Sequence, residues 1–225
     1  MPYIYIMDKL FVIIAIAFSL VGCGDTSEKV QHKPEKEKTN NPLHLVNDYP
    51  TFADKQGVMV VIEIPAGTSE KWEVNKESGQ LERDSIDNEP RSIKYLGYPT
   101  NYGFIPQTIL PKSEGGDGDP LDAIVLGEPI QQGDLISCKP IGILKLLDRN
   151  EGDDKLIMVS INSPFSEIDN LEELHDQFPG ITEIIETWFV NYKGPDKMKS
   201  LGFGDQNEAM QMIVKAHREF LKLAK

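Results

Sequence analysis

Three aspartates stand close together in the run Asp117-Gly118-Asp119-Pro120-Leu121-Asp122. In an extended segment, residues two apart share a face, so Asp117 and Asp119 point the same way until Pro120 turns the chain and brings Asp122 round. Three carboxylates in one place repel one another unless protons or cations neutralise them, and hard oxygen ligands suit Mg²⁺, Mn²⁺ or Ca²⁺. The run therefore indicates a divalent-metal site, although Asp and Gly also form ordinary solvated turns.

A second acidic cluster begins at Asp148, directly after the apolar segment from Ile141 to Leu147. It places Asp153 and then Lys155 within the same short stretch of chain. An exposed charged hairpin would use the same residue types. The cluster alone therefore leaves two alternatives, a part of the metal site and a solvated loop.

The spacing of the two clusters resembles that of the soluble family I inorganic pyrophosphatases. Members carry the pattern D-x-D-P-x-D, followed by an Asp, a second Asp five residues later and a Lys two residues further on; Asp148, Asp153 and Lys155 keep that spacing. The family's other blocks occur in the same order here: Glu63-Ile64-Pro65-Ala66, Lys71-Trp72-Glu73, Asn101-Tyr102-Gly103 and Tyr192-Lys193. The resemblance covers roughly residues 55 to 223 and departs from the family pattern between Ser78 and Tyr98.

This resemblance implies an inorganic diphosphatase that hydrolyses pyrophosphate to two phosphates, with several Mg²⁺ ions in its site. It implies that Asp119 is the general base and that the metal ligands are Asp117, Asp122, Asp148, Asp153, Glu63 and Glu73. The implied substrate-binding residues are Lys71, Arg91, Tyr102, Lys155, Tyr192 and Lys193. Because Arg91 fits the family pattern only with a one-residue gap, Arg83 is the alternative. A lipoprotein that binds metal-phosphate or polyphosphate without turnover is the alternative function, and hydrolysis of longer polyphosphates or nucleotides is a third.

The elements that must position these residues are mostly short strands followed by helices. The β-branched run Val58 to Ile64 lies between Gly57 and Pro65 and predicts a strand. Further strands are expected at Trp72 to Asn75, Ala123 to Leu126, Leu135 to Cys138, Ile141 to Leu147 and Leu156 to Ile161. One helix is predicted from an apolar stripe at helical spacing: Ile181, Ile184, Ile185, Trp188, Phe189 and Tyr192.

The last predicted helix begins at Asp205, which with Glu208 has the spacing of a capping box. Its apolar residues Met212, Ile213, Ala216 and Phe220 are expected to pack against the core. Strands followed by helices indicate an α+β domain, and the many short strands favour a barrel or a sandwich. The resemblance specifies a small closed, OB-like antiparallel β-barrel, with its main helices in the C-terminal third.

The first residues have the layout of a signal peptide. Lys9 precedes an apolar run from Leu10 to Val21, and about a dozen apolar residues are too few to cross a ~30 Å hydrocarbon core as a helix. The sequence Leu20-Val21-Gly22-Cys23 resembles a bacterial lipobox, in which Cys23 is lipidated after cleavage. The prediction is a signal peptide at residues 1–22, a flexible tether at 23–42 and a catalytic domain at 43–225. An ordinary leader is the alternative, and either Met1 or Met7 is the start.

The net charge of −13 falls on the predicted domain, because acids and lysines balance in the first 42 residues. Nucleic acid and anionic lipid surfaces are therefore poor partners, and contact with a membrane is expected only through the lipid anchor. The expected location is the bacterial cell envelope, facing away from the cytoplasm, or the cytoplasm if the leader is not processed. The resemblance implies a homo-oligomer, a dimer or a hexamer.

Overall fold

The computed structural model describes residues 42–53, 57–111, 116 and 118–223. The chain divides into two units, residues 1–40 and 41–225, and every described residue belongs to the second. The predicted signal peptide, Cys23, all but the last residue of the predicted tether, and Asp117 lie outside the described residues. Within the described part, none of the helices combines the length and the hydropathy that crossing a bilayer requires.

Eleven strands and three helices make up the described part of the chain. In chain order they are β1 (Val58–Ile64), β2 (Trp72–Val74), β3 (Leu81–Arg83), β4 (Ser85–Ile86), β5 (Glu89–Pro90), β6 (Asn101–Phe104), β7 (Asp122–Leu126), β8 (Leu135–Asp148), β9 (Glu151–Gly152), β10 (Lys155–Ser160), α1 (Leu171–Gln177), α2 (Ile181–Asn191), β11 (Met198–Asp205) and α3 (Gln206–Leu223).

Five of these strands form a closed ring. Each pairs with the next in the order β1, β6, β7, β10 and β8, and the pairing of β8 with β1 closes the ring. The predicted small closed barrel is thus confirmed, with helices α2 and α3 in the C-terminal third. One pair departs from the predicted antiparallel arrangement, because β7 and β10 run parallel.

Strand β8 is a single strand where two were predicted. Its first half pairs with β1 and its second half with β11, while β10 pairs along its middle. The interruption predicted around Pro140 is a bulge: Ile157 pairs with Gly142 and Met158 with Pro140, so Ile141 is left without an opposite residue. A bulge accommodates a proline, which has no N–H to donate to a sheet.

Alternate residues of the ring strands pack on opposite faces. On β7, Ala123 and Val125 join a buried cluster with α3, whereas Ile124 and Leu126 join a second cluster with α2. This is the two-residue repeat expected of a strand covered on both faces. Cys138 on β8 is buried and has a free thiol.

The two C-terminal helices form nearly as predicted. The Asp205 carboxylate accepts a hydrogen bond from the Glu208 backbone N–H at 2.8 Å, as the capping-box spacing predicts. Of the residues in the predicted apolar stripe of α2, Trp188 and Phe189 are buried, whereas Ile184 is 60% exposed. Ile184 lines two surface grooves, one of which is also lined by Tyr95.

Gly103 on β6 has no room for a side chain. A Cβ atom there would lie 1.9 Å from the backbone oxygen of Val61 on the adjacent strand β1. We expect Gly103→Ala to lower the free energy of unfolding by at least ~2 kcal/mol, because the strands must separate to admit the methyl group. Denaturant titration in EDTA measures the effect.

Gly67 provides the control for this substitution. It has a φ of +81°, and a Cβ atom there would have no neighbour within 4 Å. Gly67→Ala therefore tests backbone strain without a clash, at a cost of about 1 kcal/mol. If Gly103→Ala were no more destabilising than Gly67→Ala, the close approach of β6 and β1 would not limit stability.

Candidate active site

A polar cavity of about 310 Å³ opens beside the ring. Its lining comes from strands β1, β2, β6, β7 and β10, from the loops that flank these strands, and from the two residues that follow α2. The lining comprises Glu63, Lys71, Glu73, Val74, Lys76, Arg91, Tyr102, Phe104, Asp119, Pro120, Asp122, Asp153, Lys155, Tyr192 and Lys193. Of the predicted active-site residues that the structure describes, only Asp148 is not part of this lining.

The parallel pairing of β7 and β10 places Asp122 beside Lys155. Leu156 is the register partner of Ala123, so the residues that begin the two strands are neighbours. The Lys155 ammonium group donates hydrogen bonds to the carboxylates of Asp122 and Asp153. The Lys155 side chain is only 3% exposed, and the two carboxylates hold its pKa above the ordinary value despite the opposing effect of burial. A buried positive charge is thus held between two acids.

A second lysine extends this network to Asp148. Asp148 ends β8, and Lys193 follows α2 by two residues. Lys193 Nζ lies 2.8 Å from Asp148 Oδ2 and 3.7 Å from Asp153 Oδ2. The other carboxylate oxygen of Asp148 is buried and has no hydrogen-bond partner among the residues that the structure describes. A buried, unpaired carboxylate oxygen is unfavourable and is available to a cation.

Glu63 lies at the buried end of β1, where its carboxylate accepts a hydrogen bond from the Val74 N–H at 2.7 Å. Burial raises the pKa of Glu63 to about 8. Nearby, Lys71 Nζ lies 3.0 Å from Glu73 Oε1. Burial lowers the pKa of Lys71, but Glu63 and Glu73 more than offset it and leave the pKa raised. Lys71 therefore stays protonated near neutral pH.

The raised pKa of Glu63 predicts a pH-dependent stability in EDTA. In the unfolded chain the carboxyl group loses its proton near pH 4.5, whereas in the folded protein it keeps the proton up to about pH 8. Below pH 4.5 the group is protonated in both states and has no effect. Between these values the folded state binds one proton more, so we expect the free energy of unfolding to fall by about 1.4 kcal/mol per pH unit from this group.

Denaturant titrations at several pH values in EDTA measure this loss. Glu63→Gln mimics the protonated side chain and does not titrate, so the variant should lose less stability than the wild-type protein as the pH rises. Equal slopes for the two proteins would show that the Glu63 pKa is not raised.

Two tyrosines complete the cavity wall. The Tyr192 ring stacks on Trp188 with centroids 4.5 Å apart and planes 9° from parallel. Trp188 is itself fixed, since its indole N–H donates to the Leu96 carbonyl at 2.9 Å. The Tyr102 ring lies 5.5 Å from Lys71 Nζ, and burial raises the pKa of Tyr102 well above its ordinary value. The Tyr102 phenol therefore remains a hydrogen-bond donor at neutral pH.

The structure distinguishes the positions of the two candidate arginines. Arg91 lines the cavity and forms an ion pair with Asp84 at 2.8 Å. Arg83 is not part of the lining; it forms an ion pair with Glu70 at 2.9 Å and lies against the Trp72 ring. Only Arg91 of the two faces the cavity, which favours it as the phosphate-binding arginine.

Asp119 lies at the cavity mouth with its side chain 49% exposed, and its carboxylate accepts a hydrogen bond from Lys76. Lys76 is a cavity residue that the sequence analysis missed. It lies in the turn after β2, where the Asn75 side chain accepts hydrogen bonds from the N–H groups of Glu77 and Ser78. An Asn at the end of a predicted strand is a turn signal, but it does not show which loop the next side chain meets.

Divalent metal ions suit the chemistry of this donor set. Among the described residues, no three acidic, histidine or cysteine side chains are grouped as a formed metal centre. Instead, the carboxylates of Asp122, Asp148 and Asp153 contact lysine ammonium groups. The carboxylate oxygens that line the polar cavity match the ligands that Mg²⁺ prefers, and the unpaired oxygen of Asp148 lies on a carboxylate that contacts the lining residue Lys193. The residues present therefore fit a hard divalent cation.

A cavity lined by both cations and carboxylates suits an enzyme that acts on a small, multiply charged anion with the help of metal ions. The chain matches the family model for inorganic pyrophosphatase over residues 60–221. It is 32% identical to the inorganic pyrophosphatase of Kluyveromyces lactis over 197 residues, covering 80% of this chain and 69% of the relative. It is 33% identical to that of Xylella fastidiosa over 183 residues, covering 79% of this chain and 96% of the relative.

Solved structures agree with the sequence matches. The fold is similar to that of the inorganic pyrophosphatase from Schistosoma japonicum, with a TM-score of 0.74 and 28% identity over 81% of this chain and 73% of that one. The enzyme from Thermus thermophilus gives a TM-score of 0.67 and 26% identity over 79% of this chain and 99% of that one. The chain belongs to the inorganic pyrophosphatase family, family I, and its reaction is the hydrolysis of inorganic pyrophosphate.

Proposed function

We propose that the enzyme hydrolyses pyrophosphate with Mg²⁺ held by the carboxylates around the cavity. The proposed ligands are Asp117, Asp122 and Asp153 for the ions that bind the attacking water, with Asp148, Glu63 and Glu73 for those that arrive with substrate. When bound, Mg²⁺ lowers the pKa of a coordinated water and neutralises substrate charge. The observation that most directly supports cations here is the set of carboxylates that line one cavity, Glu63, Glu73, Asp119, Asp122 and Asp153.

The chain's own cations bind the substrate. Lys71, Lys155, Lys193 and Arg91 line one cavity of a protein whose net charge is −13, so they offset the repulsion between the protein and pyrophosphate. Arg91 presents a planar pair of donors, whereas each lysine supplies a point charge. Tyr102 and Tyr192 donate hydrogen bonds to phosphate oxygens, as suits phenols that line the wall.

Asp119 acts as the general base in this proposal. As the attacking water oxygen forms a bond to one phosphorus atom, a water proton passes to the Asp119 carboxylate, and the bridging P–O bond breaks. The departing phosphate keeps the bridging oxygen and the electron pair of that bond. The contact with Lys76 holds the carboxylate at the cavity mouth, half exposed, where solvent can later take up the proton.

Phosphate release from a panel of substrates tests this proposal. We expect Mg²⁺-dependent release from pyrophosphate by the full chain, and much slower release from tripolyphosphate and ATP. EDTA should abolish the reaction and added Mg²⁺ should restore it. Equal release in EDTA and in Mg²⁺ would contradict the metal proposal, and equal rates on all three substrates would contradict the proposed specificity.

The proposal for the location is a lipid anchor at Cys23 in a bacterial cell envelope. It is supported by the lipobox-like sequence Leu20-Val21-Gly22-Cys23 and by the balanced, polar tether that follows. Mass spectrometry of the protein from its own cells should show cleavage before Cys23 and a lipid mass on that residue, both lost in Cys23→Ser. An intact, unlipidated N-terminus would favour the cytoplasmic alternative.

The enzyme is also proposed to be a homo-oligomer, a dimer or a hexamer. An apolar surface next to α2 supports this, since Tyr95, Leu96 and Ile184 are 43%, 72% and 60% exposed. Analytical ultracentrifugation should show a defined oligomer that Leu96→Asp weakens, with Leu223→Asp at another exposed leucine as the control. A monomer at every concentration would contradict the proposal.

A further inference from the structure

A second cavity of about 250 Å³ adjoins the active site. The two cavities share three lining side chains, Arg91, Tyr192 and Lys193. The other lining residues of the second cavity are Ile86, Ser92, Ile93, Lys94, Arg149 and Lys197. Five of the described lining residues carry positive charge, and none carries negative charge. The five are Arg91, Lys94, Arg149, Lys193 and Lys197.

This concentration of cations contrasts with the rest of the molecule. The chain has 36 acidic and 23 basic residues, so a random group of surface charges would be mainly acidic. Arg91 and Lys193 have carboxylate partners, Asp84 and Asp148. The side chains of the other three cations form no ion pair with any described residue: Lys94, Arg149 and Lys197. Like charges gathered without counter-charges are unfavourable unless an anion joins them.

The backbone holds two of these cations side by side. Arg149 and Asn150 form the two-residue turn between β8 and β9, with φ values of +51° and +74°. Turns of this type favour Asn and Gly, and an arginine adopts the left-handed conformation at some cost. The Arg149 N–H donates to the Lys197 carbonyl at 3.0 Å, which joins the turn to the segment after α2. The cationic residues thus come from three separate segments that meet at one cavity.

We propose that this second cavity binds a phosphate-type oxyanion that is separate from the substrate. Such an anion would be bound by Lys94, Arg149 and Lys197 and would also attract Arg91 and Lys193, which line both cavities. Because those two residues are the proposed substrate cations, an anion in the second cavity weakens pyrophosphate binding. That consequence rests on the proposed function; the binding of the anion does not.

Direct binding of orthophosphate to the full chain in EDTA tests the proposal. Arg149→Asn suits a left-handed turn position, and combined with Lys197→Gln it removes two charges from the second cavity only. We expect this double variant to bind orthophosphate about tenfold more weakly than the wild-type protein at constant ionic strength. Isothermal titration calorimetry measures the affinity, and thermal unfolding confirms that the variant folds.

The matched control is Lys199→Gln combined with Lys222→Gln, which removes the same charge at exposed residues that line neither the second cavity nor the active site. It should bind orthophosphate within about twofold of the wild-type protein. Equal affinities for the two double variants, or no binding by the wild-type protein, would overturn the proposal.

Two further measurements identify the anion and separate this proposal from the proposed function. Titration with pyrophosphate in EDTA, where hydrolysis is prevented, shows whether product or substrate binds more tightly in the second cavity. In assays with Mg²⁺, the double variant Arg149→Asn with Lys197→Gln should keep the wild-type kcat. It should require several-fold more orthophosphate than the wild-type protein for half inhibition of pyrophosphate hydrolysis. Unchanged inhibition by orthophosphate would overturn the coupling, whereas loss of activity in the wild-type assay alone would count against the proposed function.

Discussion

Replacing Asp119 with asparagine is expected to lower kcat for pyrophosphate hydrolysis by about 10² to 10⁴-fold in saturating Mg²⁺. Asparagine has the size of aspartate, but its amide accepts no proton, so the attacking water loses its base. Asp119 is half exposed at the cavity mouth and contacts Lys76, so the substitution leaves the buried network of acids and lysines in place. Steady-state phosphate release measures the change.

Metal binding distinguishes loss of the base from loss of the site. We expect Mg²⁺ affinity of Asp119→Asn, measured by calorimetry, to stay within a few-fold of the wild-type value. Asp134→Asn makes the same change of charge at an exposed position outside the cavity and should leave kcat unchanged. Wild-type kcat in Asp119→Asn would contradict the assignment of the base, and a parallel collapse of Mg²⁺ affinity would make Asp119 a metal ligand instead.

Lys155→Met is expected to abolish most activity and to destabilise the protein in EDTA by about 3 kcal/mol. Methionine keeps much of the aliphatic stem but leaves the carboxylates of Asp122 and Asp153 facing each other without the ammonium group between them. Removing one partner of a buried ion pair costs ~3–5 kcal/mol, and the lower end applies because Asp122 is 29% exposed. Denaturant titration measures the loss of stability.

Added Mg²⁺ should restore part of the stability lost in Lys155→Met, because a divalent cation between the two carboxylates replaces the missing positive charge. Lys139→Met breaks the more exposed ion pair with Asp169 and serves as the control, with an expected loss below about 1 kcal/mol. Equal stability of Lys155→Met and the wild-type protein in EDTA would show that the buried network does not contribute to folding.

Local sequence patterns predict four of the five strands that form the ring, β1, β7, β8 and β10. The run Val58 to Ile64 is β-branched and has turn residues on either side, and it forms β1 over the predicted range. Strand β6 was not predicted, since Asn101–Phe104 contains a polar residue and a glycine. Its polar residue is satisfied only by tertiary contacts: the buried Asn101 side chain accepts from the N–H groups of Ala66 and Ile130.

Motif order predicted most of the polar residues that line the candidate cavity, but it did not predict their pairing. Lys155 and Asp122 are 33 positions apart in sequence and meet because β7 and β10 pair in parallel, a pairing that neither motif specifies. The choice between Arg91 and Arg83 likewise depends on how residues 84–91 turn back, which the structure shows through the pair of Arg91 with Asp84. Strand β11 between the two helices escaped prediction because its glycines weaken the strand pattern.

The central claim is that the carboxylates around this cavity bind the metal ions that hydrolysis requires. Anomalous diffraction from crystals grown with Mn²⁺, which takes the same oxygen ligands as Mg²⁺, locates those ions directly. We predict Mn²⁺ within bonding distance of Asp122 and Asp153, with Lys155 displaced from at least one of them. Mn²⁺ bound only outside the cavity, with both lysine contacts of Asp153 intact, would contradict the claim.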